Sequence, residues 1–172
     1  MIPMIRYPWV DFRHPANTGL LKMLKSEHPE IEEENAEKSP DTLRSYYEEL
    51  ETHPDVIRRI WDEVSIDLPE DCRWIVYQRP ILCHPSTGVI FGWASGTPTY
   101  ALRLPEKERT EALSAGAKTT WTYNDAWTKN LAPEYNSVLN LSDWGIEWVF
   151  GRWDLDERRW CLAAYHAAAH FP

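Results

Sequence analysis

The amino-acid sequence predicts one α+β domain over residues 1–172: a mainly antiparallel sheet packed by a buried C-terminal helix, with acidic helices in the N-terminal part. Three observations lead there. Hydrophobic residues make up 43% of 172 positions, a share and a length that bury a core without metal or disulfide staples. At about Cys72 the apolar spacing changes from a helical period to short β-branched and aromatic runs. From Trp160 onward the chain is apolar almost all round a helix, which has a stable place only against another layer. Residues 1–71 therefore read as mainly helical and acidic, and residues 72–172 as a tryptophan-rich sheet with its helix.

Met1 to Pro15 is an aromatic, proline-punctuated arm containing Tyr7, Trp9 and Phe12. A helix is expected over Asn17 to Glu27, fraying into the polar stretch Pro29 to Lys38. Ser39-Pro40 reads as an N-cap with proline at the first helical position. Leu43, Tyr46, Tyr47 and Leu50 follow at i, i+3, i+4 and i+7, with Glu48, Glu49 and Glu51 off that stripe. Thr52-His53-Pro54 starts a further helix, which carries Ile57, Ile60, Trp61 and Val64 at the same spacing.

Arg73 to Gln78 is apolar on both faces, as a central strand would be. Pro80 to His84 reads as a short edge strand, because proline is tolerated at edges. Turn residues at Pro85 to Gly88 and at Ser95 to Pro98 bracket a strand over Val89 to Ala94, and Thr99 to Leu104 alternates as the next. Pro105 opens a helix with Glu106 and Glu108 in its first turn, and Gly116 falls where a left-handed terminal glycine belongs. Lys118 to Tyr123 is a strand, Ala126 to Gly145 a long loop and Ile146 to Trp153 a last strand. Asp154 and Glu157 form a capping pair for the final helix, Leu155 to about Ala169. The run from the Gly88 hairpin through L-R-L-P-E-K-E-R-T-E-A-L-S-A-G-A to T-T-W-T-Y locally resembles one unit of the YjbR-like and TfoX N-terminal-like domains. There a β-hairpin is followed by a short helix, a glycine and a return strand. The resemblance spans residues 88–123, implies an α+β arrangement and carries no function.

Charge is distributed unevenly. Glu27 to Asp71 holds sixteen acids and four Lys/Arg, a net of −12, against +3 before it and 0 after it. Such a field attracts basic partners and repels nucleic acid and anionic lipid, so neither a nucleic-acid nor a membrane partner is expected. A solvated helical face is the plain alternative. No apolar run is long enough to span a bilayer and no secretory signal is legible. Cys72, Cys83 and Cys161 are odd in number and form no C-x-x-C pair, which points to reduced thiols in a cytoplasmic protein.

Catalytic signals are weak. His166 and His170 stand one helical turn apart, a spacing a metal site uses, but Ala167 occupies the place of the glutamate in H-E-x-x-H. Cys83-His84 is contiguous, and neighbouring strand residues point to opposite faces. The glycines match no phosphate loop, and no G-x-S-x-G occurs. No catalytic residue, cofactor or metal is therefore assigned.

Two readings of function follow. The first is a non-enzymatic interaction module whose acidic surface, carried by Glu32, Glu33, Glu34, Glu37, Glu48, Glu49 and Glu51, binds a basic partner protein. In size, charge and lack of catalytic motifs the chain is similar to small immunity proteins of bacterial toxin systems, which implies a basic toxin as one such partner. The alternative is a small enzyme or carbohydrate-like ligand-binding protein with a pocket lined by Trp93, Trp121, Trp148 and Trp153. Against that alternative stands the ordinary role of tryptophan as core filler.

Overall fold

The computed structural model describes residues 10–38, 54–95, 99–122, 138–141, 145, 147–151 and 157–171, with only the backbone at residues 95, 99, 120–122 and 138–140. The first element, α1 (Pro15–Ser26), begins earlier than the expected Asn17. Its cap is an imidazole: His14 Nδ1 accepts the Ala16 N–H at 3.0 Å, and proline occupies the first turn. Leu20, Leu21 and Leu24 lie on one face and are buried. The polar stretch after it does not simply fray. Ala36–Lys38 forms a strand, β1, at the margin of the main sheet. The helix expected after Ser39, with Leu43, Tyr46, Tyr47 and Leu50, lies outside the described residues. So do residues 1–9 and Asp154.

Helix α2 (Pro54–Arg58) runs into a π-turn over Arg59–Glu63, where the Val64 N–H reaches the Arg59 carbonyl at 2.8 Å. Ile57, Ile60, Trp61 and Val64 are all buried, as their spacing requires. A 3-10 turn (Glu70–Cys72) leads into the sheet. Strands β2 (Arg73–Val76), β3 (Arg79–Cys83), β4 (Ile90–Ser95) and β5 (Thr99–Arg103) follow as an antiparallel meander. Strand β8 (Trp148–Phe150) completes a six-stranded sheet in the order β1-β2-β3-β4-β5-β8. Between β5 and β8 lie helix α3 (Glu106–Ser114) and a two-stranded sheet of β6 (Thr120–Thr122) and β7 (Val138–Asn140). The strand at residues 120–122 thus pairs with β7, and part of the long loop expected over 126–145 is strand. The last helix, α4 (Glu157–Ala168), packs one face into the core through Trp160, Cys161, Ala164 and Ala168. Arg158, Arg159 and His166 remain exposed on it, so it is less completely enclosed than its composition suggests.

Two sequence expectations are corrected here. Strand β2 stops at Val76 because Tyr77 (φ 46°) and Gln78 (φ 65°) form a two-residue turn with both φ positive. That hairpin normally uses Asn-Gly, so the sequence does not announce it. Strand β3 is central and fully buried, although it contains Pro80. Val76 and Arg79 close the two-residue loop, so Pro80 opposite Ile75 turns its nitrogen away from β2. Pairing with β4 begins only at Ile81, and the missing N–H breaks no rung.

The sheet is covered on both faces, with α1 on one and α2 and α4 on the other, and side chains from alternate strand positions divide between them. Ile81, Trp93, Ala101, Trp148 and Phe150 face α1, while Ile75, Leu82, Tyr100, Leu102 and Val149 face the other layer. A bulge near Phe91 keeps this order. The register shifts between Leu82 and Cys83, so Ile90 faces α1 while Phe91 joins Leu82 on the opposite side.

Polar anchors join the layers. Asn17 is fully buried: its Nδ2 donates to the Asp11 and Gly88 carbonyls and its Oδ1 accepts the Ile90 N–H, each at 2.8 Å. Gly88 has φ +72°, and a Cβ there would meet Asp11 at 2.8 Å, so both the turn and the close approach require glycine. On the other face, Trp61 Nε1 donates to the Ile81 carbonyl at 2.9 Å, and Arg59 pairs with the buried Glu157 at 3.2 Å.

Candidate interaction surface

The acidic block predicted from sequence divides into differently compensated parts. On the α2 side, Asp55 pairs with Arg58 at 2.8 Å, Glu63 with Arg59 at 2.9 Å and Asp67 with Arg158 at 2.9 Å. Asp62, Glu70 and Asp71 are exposed there as well. The segment between α1 and β1 is held from beneath. Arg79, buried, reaches Glu27 at 3.0 Å and the His28 ring at 3.3 Å, while Lys25 Nζ donates to the Ile31 carbonyl at 2.8 Å. These anchors use backbone carbonyls and the first carboxylate, which leaves the following glutamates outward.

Glu32, Glu33, Glu34 and Glu37 are exposed. Glu34 pairs with Arg13, itself exposed. Among the described residues Glu32, Glu33 and Glu37 form no ion pair. Glu30 is held below the usual carboxylate range, first by a hydrogen bond from its own backbone and then by His28. The anionic form of Glu30 is thus favoured. Two unit charges about 8 Å apart in water repel by about 0.5 kcal/mol, so several such pairs give a modest strain that a cationic partner removes. Glu48, Glu49 and Glu51 lie outside the described residues.

The tryptophans fall elsewhere. Trp93 and Trp148 are 1% and 0% exposed and fill the layer beneath α1. Trp121 stands on β6, where only the backbone is described, and Trp153 lies outside the described residues. Trp148 also forms one side of a feature with no sequence signal. The Arg103 guanidinium is buried between the Trp148 and Phe171 rings, 4.9 and 4.8 Å from their centroids, and donates to the Ala16 carbonyl. Burial pushes its pKa down to about 10, with Glu147 opposing the shift.

The nucleophile candidates are poorly activated. Cys72, Cys83 and Cys161 are free and buried. Burial raises the Cys72 pKa to about 12 and lifts Cys83 and Cys161 strongly, so the reactive thiolate is disfavoured at each. Cys83 packs in the α1 layer, whereas the His84 ring stacks on Tyr165 of α4 with centroids 4.7 Å apart. The two side chains therefore serve opposite faces. His166 and His170 are exposed, and the described residues contain no cluster of three or more His, Cys, Asp or Glu side chains able to hold a metal. Among the described residues no helix is long and apolar enough to cross a membrane.

Comparison with protein-family models, with curated proteins and with solved structures finds no match to this chain.

Proposed function

We propose that this protein is an interaction module whose acidic surface docks a basic partner protein, in the way an immunity protein covers a basic toxin. One observation carries the reading: Glu32, Glu33 and Glu37 are exposed and unpaired among the described residues, on a segment pinned beneath by Lys25 and Arg79. A pinned backbone presents its charges without the ordering cost that a loose loop would meet on binding. The field steers a cationic surface toward the segment and accelerates encounter, by about 10–10³ at low ionic strength. Contact then relieves the mutual repulsion of the glutamates. The burial of Trp93 and Trp148 lends nothing to a tryptophan-lined pocket.

The test is capture of the partner from the native host by wild-type protein and by the variant Glu32→Lys, Glu33→Lys, Glu34→Lys. A control changes Glu106→Lys and Glu108→Lys on α3. The reversed segment should lose the partner and the control should retain it. Equal capture by all three proteins would leave the segment as a solvated face and nothing more.

A further inference from the structure

Strand β1 is the margin of the six-stranded sheet, and its backbone pattern specifies what it offers outward. The Tyr77 N–H donates to the Asn35 carbonyl at 3.2 Å, and the register pairs Ala36 with Val76, Glu37 with Ile75 and Lys38 with Trp74. In an antiparallel ladder hydrogen-bonded and non-bonded pairs alternate. Asn35 and Glu37 therefore turn their N–H and C=O groups toward β2, while Ala36 and Lys38 turn theirs away from the sheet. Among the described residues no hydrogen bond reaches these outward groups. The opposite margin differs: the outward Phe150 N–H of β8 is taken by the Lys118 carbonyl at 2.8 Å. An open edge of this kind is a template for another strand.

Charge decides which strand. Glu32, Glu33 and Glu34 lead directly into β1 and Glu37 stands on it, all exposed. Lys38 is exposed on β1 as well, but a second copy pairing edge to edge would still set two segments of net negative charge side by side, so the acidity opposes self-association and favours a cationic strand.

We propose that the basic partner engages this protein by adding an extended segment, rich in lysine or arginine, as a seventh strand alongside β1. The main-chain groups of Ala36 and Lys38 fix its register, and Glu32, Glu33, Glu34 and Glu37 select its charge. This rests on the reading that the acidic segment is a docking surface, and it adds the geometry of docking.

The experiment uses the full chain and a decapeptide of alternating lysine and threonine, with amide exchange followed by NMR. Bound peptide should slow exchange at Ala36 and Lys38 about tenfold, with no matching change at Glu37, whose N–H already faces β2. Ala36→Pro removes an outward N–H and no β1–β2 rung, because edge strands accept proline where the N–H faces solvent. That variant should stay folded and bind about tenfold more weakly. Should it fail to fold, a peptide N-methylated at alternate residues makes the same deletion from the other side and should also bind about tenfold more weakly. Binding that leaves the two amides unprotected, or that tolerates backbone methylation, overturns strand addition. If such binding is still abolished by Glu32→Lys, Glu33→Lys, Glu34→Lys, the acidic docking surface survives without it. No binding at millimolar peptide overturns the strand proposal. So does a dimer of the free protein that Ala36→Pro dissolves, since the occupant would then be a second copy.

Discussion

Replacing Asn17 by alanine removes a side chain that ties α1 to the β3–β4 turn, and its cost can be worked from its three hydrogen bonds. The Ile90 N–H loses its acceptor inside the protein, at about 1–3 kcal/mol. The Asp11 and Gly88 carbonyls keep second donors, the His14 N–H at 3.2 Å and the Asp11 N–H at 3.0 Å. Each therefore loses a net contribution of about 0.5–1 kcal/mol. The expected total is about 2–5 kcal/mol, a large fraction of the roughly 5–15 kcal/mol that holds a typical domain. It corresponds to a fall in Tm of about 4–20 °C for a chain of this size. Urea unfolding followed by tryptophan fluorescence should show a lower midpoint with an unchanged slope. Asn17→Asp keeps the acceptor for Ile90 but sets a carboxylate against two carbonyls, so at neutral pH it should be at least as damaging. A loss below about 0.5 kcal/mol for Asn17→Ala would refute the claim that this amide joins the layers.

Trp160→Ala should cost about 3–5 kcal/mol, the range for deleting a large buried aromatic, read as a shift in urea midpoint; near-normal stability would remove Trp160 from the core. In native protein the three buried cysteines should resist thiol reagents for hours, and all three should titrate as free thiols in denaturant without reductant. His84 titrates below the usual imidazole value, first through burial and then through His166 and His170, with Asp71 opposing. Its folded pKa is thus lower than its unfolded one, about 6.5. The neutral ring's contribution is complete above the unfolded value and is lost as pH falls through the folded one. Replacing it by phenylalanine, which keeps the stack on Tyr165, should flatten the acid limb of the stability curve; an unaltered limb would show that His84 does not set it.

Much of the fold was legible because patterning and packing agreed. Ile57, Ile60, Trp61 and Val64 recur at helical spacing and are buried together, and the Thr99 to Leu104 alternation divides Tyr100 and Leu102 from Ala101 between two layers. Where reading failed, an unusual residue performed a common task. His14 caps α1 in place of a hydroxyl or carboxylate, and Tyr77-Gln78 makes a turn usually left to Asn-Gly. Pro80 sits in a central strand because its nitrogen falls beyond the ladder on one side and faces away on the other. Arg103, Asn17 and Glu157 are buried polar residues whose partners are distant in sequence, so no local window could place them. At the surface, the charge total located the acidic block, but not that Asp55, Glu63 and Asp67 pair with arginines while Glu32, Glu33 and Glu37 form no ion pair among the described residues.

If the exposed carboxylates before β1 steer a basic partner, its association rate depends on ionic strength. Association of the captured partner is measured by stopped flow at about 20 mM and about 200 mM salt, which brackets a screening length of about 10 Å. Wild type and the neutralised variant Glu32→Gln, Glu33→Gln, Glu34→Gln are compared. Wild-type association should slow by about tenfold or more between the two conditions, while the variant should associate more slowly at low salt and show a flatter dependence. Equal rates and equal salt slopes for the two proteins would contradict the account.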